Sequence, residues 1–363
     1  MNILLMANHF NTGGITSYLL NLSSGLSGKG HKVLVASANG NCVPLVQVSG
    51  VRHAALDIRV KSEAHPKLWL AIPYLARLIQ EEQIDIIHVN TRVTQVMASI
   101  ASRLTGRPFV STCHGFFKPR LSRRVFPCWG RGVIAVSNGV RDHLINDFKL
   151  DAGKVYLIPN GIDTAQFAVD SKTERPIKRR QWGAEGNPII GIIARLSGVK
   201  GIDVLINAFP LVLAEFPQCR LWIIGEGSEK EYLQGLVENK GLSGRVRFEP
   251  IVNRSADILP IFDVFVMPSL QEGLGLSVME AQAAGIPVIV SDVGGLPDLV
   301  EDNKTGMLFP SGQSDVLAGR IIDVLKQPRK ANAMAEAARL RVNKEFSLEH
   351  MTTRTLNFYE QYL

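Results

Sequence analysis

Short apolar runs alternate with longer amphipathic stretches over most of the chain. The runs NILLMA, HKVLVASA and IDIIHVN are bounded by glycine or polar residues, and helical patterns such as KLWLAIPYLARLIQEE stand between them. Strands that are apolar on both faces and joined through helices are typical of parallel sheets with right-handed crossovers. The pattern therefore predicts a doubly wound α/β fold.

The alternation is interrupted by the polar stretch DTAQFAVDSKTERPIKRRQWGAEGNP and resumes at PIIGIIARL. A chain of 363 residues is also longer than one ordinary core requires. We therefore expect two Rossmann-like domains that face each other across a cleft. The predicted bounds are residues 1–165 for the first domain, 166–187 for a linker, 188–345 for the second domain, and 346–363 for a C-terminal helix that packs on the first domain.

The composition is that of a folded, water-soluble protein. Hydrophobic residues make up 46% of the chain and charged residues 20%. The four cysteines follow no CxxC spacing, which argues against a zinc site or a disulfide framework and fits a reducing cytoplasm. The N-terminus has no basic leader before its first apolar run, and the longest apolar stretch is too short to span a bilayer. These features predict a cytoplasmic protein.

The net charge of +7 is unevenly distributed. Residues 1–165 contain 18 Lys and Arg against 9 Asp and Glu, whereas the rest of the chain contains 22 against 24. In the basic half, the segment HGFFKPRLSRRVFPCWGRG mixes cations with aromatic side chains, which is typical of a surface that rests on anionic lipid headgroups. No nucleic-acid-binding motif accompanies this charge. We therefore favour peripheral contact with the inner face of the plasma membrane over a solvated loop whose aromatic side chains belong to the core, and we expect no nucleic-acid partner.

Glycine-rich loops follow several predicted strands, at the ends where doubly wound sheets bind ligands. After the run DVFVMPS, Gly273 and Gly275 precede a predicted helix whose first N–H groups suit an anion. Glu272 lies before this helix and Glu280 within it, and carboxylates at these places suit the hydroxyls of a sugar and a ribose. For these residues alone, solvated glutamates beside a helix cap are an equal alternative.

Two other loops carry related signals. Arg195 and Lys200, in ARLSGVKG, follow the run PIIGII and suit a diphosphate. Gly13 and Gly14, in NTGG, open the first helix and allow a backbone to approach a phosphate, although the GxGxxG spacing is absent. All three loops follow strands at their carboxyl ends, so we expect them to face one cleft.

Together these segments resemble the glycosyltransferase family 4 branch of the two-domain GT-B fold. The resemblance covers nearly the whole chain and is carried by STCHG, VSNGV, PNGID, ARLSGVKG, IIGEG, PSLQEGLGLSVMEAQAAGIPVI, VGGLPDLV and TGMLF. Its two glutamates have the E-x7-E spacing of the family. Ala194, Leu274 and Asp298 depart from the glycine, phenylalanine and glutamate that are usual there, and Leu274 leaves the shape of the donor pocket open.

The resemblance implies a retaining enzyme that transfers a sugar from a nucleotide diphosphate sugar, a UDP-sugar being favoured over a GDP- or ADP-sugar, to an acceptor hydroxyl. From the basic and aromatic segment of the first half, we favour an acceptor that is lipid-linked or is a lipopolysaccharide or other cell-surface glycan, as in cell-envelope polysaccharide biosynthesis, over a soluble acceptor. The first domain would bind the acceptor and the second the nucleotide sugar. No Asp-x-Asp sequence occurs, so we expect the reaction to require no metal.

The resemblance also implies roles for individual residues. Arg195 and Lys200 would neutralise the leaving diphosphate, Glu272 would hold the donor sugar, Glu280 would bind the ribose, and His114 would lie near the donor sugar. The nucleobase would meet the backbone from Ile251 to Asn253. The remaining donor-binding candidates are Gly13, Gly14, Asn138, Glu226, Ile251, Val252, Gly273, Leu274, Gly275, Leu276 and Ser277.

Alternatives remain at the residue level and at the level of function. Glu226 is equally suited to a turn, His114 to a structural role, and Asn160 and Asp163 to ordering a hinge. Cys113 beside His114 does not indicate a Cys–His nucleophile, because Cys113 belongs to the apolar face of a strand.

Two other functions are compatible with the predicted fold. A sugar-nucleotide-binding protein without turnover and a GT-B sugar-nucleotide epimerase share this architecture. A nicotinamide dehydrogenase is disfavoured because no GxGxxG follows the first strand.

Overall fold

The computed structural model describes residues 1–60, 62–63, 65–168, 173–252 and 254–363. The described chain divides into two compact units, one made of residues 1–161 with 348–363 and the other of residues 162–347. Each unit is built on one parallel sheet. The predicted doubly wound α/β class is therefore confirmed.

The first unit contains a seven-stranded sheet. Its strands are β1 (Asn2–His9), β2 (Lys32–Ala38), β3 (Arg52–Ala55), β4 (Ile86–Val89), β5 (Phe109–Cys113), β6 (Val133–Ala135) and β7 (Val155–Leu157). They lie in the order β3-β2-β1-β4-β5-β6-β7. The direction of winding reverses between β1 and β4, so the loops after these two strands flank a topological switch point, where sheets of this kind bind ligands.

Helices cover both faces of this sheet. They are α1 (Gly14–Gly28), α2 (Val43–Val48), α3 (Pro66–Glu81), α4 (Arg92–Thr105), α5 (Leu121–Val125) and α6 (Asn138–Asn146). On one face Leu75 of α3 and Met97 of α4 pack against Leu4 of β1. On the other face Leu19 of α1 packs against Leu5 of β1. Because consecutive β1 side chains point to opposite faces, both faces of this strand are apolar.

The second unit contains a six-stranded sheet in the order β10-β9-β8-β11-β12-β13. Its strands are β8 (Ile189–Ile193), β9 (Arg220–Ile224), β10 (Val246–Glu249), β11 (Val264–Met267), β12 (Val288–Ser291) and β13 (Met307–Phe309). Its helices are α7 (Glu174–Gln181), α8 (Ile202–Glu215), α9 (Lys230–Asn239), α10 (Leu276–Ala283), α11 (Leu296–Leu299), α12 (Ser314–Lys326) and α13 (Pro328–Glu345). The switch point of this sheet lies between β8 and β11.

The segment 166–187, which the sequence pattern predicts as a linker, contains α7; its residues 169–172 lie outside the described part of the chain. Arg175 and Arg179 of α7 both pair with Asp263, at 2.7 and 3.0 Å. Asp263 also accepts a hydrogen bond from the N–H of Ile189 at 2.7 Å. The basic residues of this polar stretch therefore fasten α7 to the start of β8.

The last helix, α14 (Leu348–Glu360), returns to the first unit. It packs on the α1 face of the sheet through Met351, Phe358 and Tyr359. The hydroxyl of Tyr359 lies 2.5 Å from Nδ1 of the buried His88 on β4. The core of the first unit is therefore completed by residues at the far end of the sequence.

Within the described ranges, no helix combines the length and the apolar character needed to cross a membrane.

Candidate active site

The loops after β8 and β11 flank the switch point of the second unit and carry most of the predicted donor-site residues. Arg195 and Lys200 lie in the loop after β8, and Glu272 lies in the loop after β11. The N–H of Leu270 donates to the carbonyl of Val199 at 2.8 Å and ties the two loops together. These predicted residues are therefore brought to one edge of the sheet.

A left-handed glycine allows the two loops to approach each other. Gly201 has a φ of 59°, and a Cβ at this position would lie 2.1 Å from the carbonyl oxygen of Pro268. Any other residue would strain the backbone and collide with Pro268. Gly201 follows the turn Gly198–Lys200 directly. The close contact therefore fixes Lys200 beside the loop after β11.

Lys200 and Glu272 form a part-buried ion pair. Nζ of Lys200 donates to Oε2 of Glu272, and the hydroxyl of Ser269 donates to the same oxygen at 3.2 Å. The carbonyl of Ser269 accepts a bond of 2.6 Å from the hydroxyl of Ser291 at the end of β12. The ammonium follows β8 and the carboxylate follows β11, and these two adjacent strands hold the two groups in contact.

Arg195 is placed differently, because its side chain is exposed and forms no ion pair with a carboxylate in the described chain. The next residue, Leu196, is buried. Its N–H donates to the carbonyl of Glu226 at 3.0 Å, and its carbonyl accepts from the N–H of Glu229 at 3.1 Å. The Glu226 side chain is exposed and pairs with Lys230 at 3.1 Å. The backbone around Arg195 is therefore fixed while its guanidinium stays accessible to an anion.

The loop after β11 ends at the N-terminus of α10. Gly275 occupies the N-cap with a φ of 107°, a conformation that favours glycine. Among the described residues no side chain caps this terminus, and its first turn has no acidic residue. The unpaired N–H groups and the positive end of the helix dipole suit an anion. Gly273, Leu276 and Ser277 are part-exposed here, whereas Leu274 is buried.

Glu280 lies one turn further along α10 and is part-buried. Burial raises the pKa of its carboxyl to about 7, and a hydrogen bond with Ser255 opposes this rise. Glu280 therefore changes its charge near neutral pH.

Of the residues predicted to meet the nucleobase, Ile251 is exposed and Val252 part-exposed, and Asn253 lies outside the described residues.

In the first unit, Gly13 and Gly14 lie exposed at the start of α1, after β1. No described side chain caps this helix. The preceding loop is held in place because the N–H of Thr12 donates to Oδ1 of Asn41 at 3.0 Å. A Cβ on Gly14 would meet no atom within 4 Å. A phosphate or a sugar can therefore approach this terminus closely.

His114 follows β5 and is held by Asn90, which follows β4. Nε2 of His114 lies 2.9 Å from Oδ1 of Asn90, and the amide nitrogen of Asn90 donates to the carbonyl of Met6 at 3.3 Å. This orientation of Asn90 makes Nε2 the protonated nitrogen and leaves Nδ1 as an acceptor. Burial lowers the pKa of His114 to about 3, so the imidazole is neutral at physiological pH.

The environment of Cys113 argues against a catalytic role. It is buried, and burial raises the pKa of its thiol to about 12. A thiol of this kind is inert as a nucleophile.

The structure places three other predicted residues of the first half. Asn138 is exposed at the first turn of α6, Asn160 is buried, and Asp163 accepts from the N–H of Ala165 at 3.3 Å in a short turn.

Three further polar residues support the candidate site. Asn90 orients His114, Ser269 orients Glu272, and Ser255 contacts Glu280. Ser269 lies inside the motif that predicts the donor loop, but no sequence pattern marks Asn90 or Ser255. Within the described chain, no group of three or more His, Cys, Asp or Glu residues could hold a metal ion.

Two units, each with a parallel doubly wound sheet and glycine-containing loops at its switch point, form the architecture of the GT-B fold. The solved structure of Anabaena HepE in complex with UDP-glucose matches this fold with a TM-score of 0.88 at 23% identity, over 99% of this chain and 100% of that one. The expected GT-B fold is confirmed.

Comparisons of sequence give the family. Residues 12–166 match the model described as Glycosyltransferase Family 4, and residues 174–341 match the model described as Glycosyl transferases group 1. The GDP-mannose-dependent alpha-(1-6)-phosphatidylinositol monomannoside mannosyltransferase of Mycolicibacterium smegmatis is 30% identical over 363 residues, which cover 93% of this chain and 92% of the relative. The chain belongs to glycosyltransferase family 4, and the prediction of an enzyme is confirmed.

A second relative differs in its nucleotide. The UDP-Gal:alpha-D-GlcNAc-diphosphoundecaprenol alpha-1,3-galactosyltransferase of Escherichia coli is 27% identical over 302 residues, 78% of this chain and 77% of the relative. The two relatives are therefore named for different nucleotide sugars, one for GDP-mannose and the other for UDP-Gal.

Proposed function

We propose that this glycosyltransferase retains the anomeric configuration and moves a sugar from a nucleoside diphosphate sugar to an acceptor hydroxyl. The observation that carries the proposal is the Lys200–Glu272 pair beside the uncapped start of α10. One loop offers cations for a diphosphate, and the other offers N–H groups and a carboxylate for a sugar. We assign donor binding to the second unit and acceptor binding to the first.

The charges at this switch point suit the leaving group. Transfer breaks the bond between the anomeric carbon and a diphosphate oxygen, so negative charge builds up on the diphosphate. Fixed cations at Arg195 and Lys200 stabilise that charge in the transition state. Glu272 accepts hydrogen bonds from the hydroxyls of the donor sugar, and Glu280 accepts them from the ribose.

We assign His114 a positioning contact with the donor sugar. Its neutral imidazole presents Nδ1 as an acceptor, and no partner for this nitrogen occurs among the described residues. A neutral ring accepts a hydroxyl hydrogen bond without adding positive charge near the anomeric carbon. Replacement by glutamine, which keeps an acceptor of similar reach, should preserve more activity than replacement by alanine.

A UDP-sugar is the donor that we favour, because the Anabaena protein of the same fold is described in complex with UDP-glucose. A GDP-sugar is the second candidate, since the Mycolicibacterium relative is named as GDP-mannose-dependent. Thermal unfolding with UDP, GDP, ADP and their sugars tests both, because a ligand that binds the native state raises the unfolding temperature. If none of these nucleotides raised it, the donor-site assignment would fail.

The acceptor that we propose is lipid-linked or part of a cell-surface glycan. Support comes from the names of the two relatives, one of which acts on a phosphatidylinositol mannoside and the other on a diphosphoundecaprenol-linked sugar. The basic first unit would bring the enzyme to the anionic cytoplasmic face of the membrane. Co-sedimentation with vesicles should increase with anionic lipid content and decrease with salt; independence from both would contradict this assignment.

We also propose that transfer needs no divalent metal, because cationic side chains are available to neutralise the diphosphate. Activity should persist in excess EDTA. Loss of activity in EDTA that Mg²⁺ or Mn²⁺ restores would overturn this part of the proposal.

A further inference from the structure

A cavity of about 790 Å³ lies in the first unit, away from the carboxyl ends of its strands. Phe109 and Val133, the first residues of β5 and β6, line it, and so does Lys154, which directly precedes β7. We call this space the amino-end cavity. Its volume lies within the range of small-molecule sites. Part of its lining, from residues 123–131, belongs to the same β5–β6 connection as His114, but none of the candidate active-site residues lines it.

Positive charge dominates the wall of the amino-end cavity. The cations that line it are Arg103, Arg123, Arg124, Arg131, Lys149 and Lys154. In the described chain none of them forms an ion pair with a carboxylate. The cavity also has two acidic residues, but Asp147 pairs with His143 at 2.5 Å and Asp151 accepts from the N–H of Gly153 at 3.0 Å. The cations are therefore left to bind an external anion.

One of these cations, Arg123, is part-buried and has the positive charge of Arg92 nearby. Burial and the charge of Arg92 lower the pKa of Arg123. The guanidinium of Arg123 also lies over the ring of Phe117, 4.6 Å from its centre. An anion bound at Arg123 would offset the charge of this arginine neighbour.

The floor of the cavity is apolar and has a fixed backbone. Trp129 is buried and packs edge-on against Phe148, with ring centres 5.4 Å apart. Cys128 and Lys149, both in the lining, have φ values of 52° and 56°. Such conformations cost energy in residues other than glycine and are often found at functional sites.

Exposed apolar side chains stand next to the lining cations in the sequence. Leu104 follows Arg103 and is 61% exposed. Leu121 and Val125, which bracket the α5 arginines, are each 75% exposed. A free inorganic anion would make no use of these side chains, whereas an amphiphile would bury them.

We propose that the amino-end cavity binds the phosphate-bearing headgroup of an anionic membrane lipid, whose acyl chains meet the exposed leucine and valine side chains beside it. Arginine and lysine supply charge-assisted hydrogen bonds to the phosphate. The site is an anchoring site for a lipid that is not consumed, and it does not depend on the assignment of the donor site.

Calorimetric titration of the full chain tests this proposal. The probe is a dihexanoyl phosphatidylglycerol below its micelle concentration, with dihexanoyl phosphatidylcholine and inorganic phosphate as comparisons. The anionic lipid should bind, and the double variant Arg131→Gln/Lys154→Gln should weaken its affinity roughly tenfold or more. A matched double variant, Lys29→Gln/Lys32→Gln, removes the same charge elsewhere in this unit and should bind like the wild type.

Three outcomes would overturn the proposal: no binding of the anionic lipid, equal loss in both double variants, or inorganic phosphate binding as tightly as the lipid. The single variants Arg131→Gln and Lys154→Gln are measured too, so that misfolding of the double variant would not decide the result. Thermal shifts with UDP and GDP on the same proteins report on the donor site separately. A failure of the lipid site is therefore distinguishable from a failure of the proposed donor site.

Discussion

The ammonium group of Lys200 already has a partner, since it is bonded to the carboxylate of Glu272. A diphosphate that binds Lys200 must compete with this carboxylate. The residue types and their motifs are visible in the sequence, but the pair is not. The two residues are far apart in the sequence and meet only because β8 and β11 are neighbours.

Glu272→Gln should separate binding from turnover. Removing the competing charge should leave UDP or GDP affinity unchanged or raise it a few-fold. Loss of the contact with the donor sugar should lower kcat roughly a hundredfold. Calorimetric titration and steady-state kinetics measure the two effects. The control is Glu215→Gln, which breaks the exposed pair with Lys326 and should change neither quantity. Weaker nucleotide binding by Glu272→Gln with normal kcat would contradict the assigned role.

Glu280 should make donor binding depend on pH. Because burial raises its pKa to about 7, the carboxylate is mostly protonated below that pH and accepts ribose hydroxyls less well. Affinity for the nucleotide sugar should therefore fall about tenfold between about pH 8 and about pH 6. A nucleotide sugar is the right probe, since its phosphodiester groups do not titrate in this range. Glu280→Gln should bind weakly at all pH values; an unchanged pH profile in this variant would exclude Glu280 as the titrating group.

At the scale of elements, long apolar runs and helical periodicity predict most of the sheet-forming strands and covering helices. They miss β3, a short strand at the edge of the described sheet that pairs with β2 and includes the polar residues Arg52 and His53. An edge strand lacks the two-sided burial on which the pattern depends. They also miss α7, whose stability comes from ion pairs with Asp263 and not from an apolar face.

The contact between α14 and β4 also has no sequence signature. His88 is fully buried, with Nδ1 2.5 Å from the hydroxyl of Tyr359 and Nε2 2.6 Å from that of Thr112. Tyr359→Phe leaves one ring nitrogen without a partner and should reduce the free energy of unfolding by about 1–3 kcal/mol. Urea titration measures the change. Tyr74→Phe, at an exposed position of α3, is the matched control and should be neutral.

Buried His88 and part-buried His114 should make the first unit sensitive to acid. Burial lowers the pKa of both His88 and His114 to about 3, whereas unfolded histidine has a pKa near 6.5. Their stabilising effect is complete above about pH 6.5 and is lost as the pH falls towards 3, because only the unfolded chain then takes up protons. At about pH 5 the loss should be about 2 kcal/mol for each histidine. Urea midpoints at several pH values should show a shallower slope for His114→Gln; an equal slope would exclude this cause.

At the scale of the molecule, repetition of the strand–helix pattern on both sides of a polar stretch predicts two doubly wound units. The places where the chain leaves the first unit and returns to it are fixed by contacts between distant segments. Ile162 and Ser347 form a parallel bridge, and the N–H of Gly161 lies 3.0 Å from Sδ of Met351. No local pattern encodes such pairs.

Residues 348–363 should be required for the first unit to fold. A fragment of residues 1–161 lacks Met351, Phe358 and Tyr359 from its core and should melt without a cooperative transition. Joining residues 348–363 to Gly161 through a short flexible linker should restore cooperative melting by circular dichroism. The same fragment with a scrambled version of residues 348–363 is the control. Cooperative melting of residues 1–161 alone would contradict the prediction.

The return of α14 also sets an order of events during synthesis. The ribosome produces every residue of the second unit before it reaches Leu348, so the second unit can form its sheet on the nascent chain. The first unit is made earlier, but part of one face of its β-sheet stays uncovered until α14 has been translated. Chaperones that bind exposed apolar surface should therefore hold the earlier-made half of this polypeptide for longer than the later-made half.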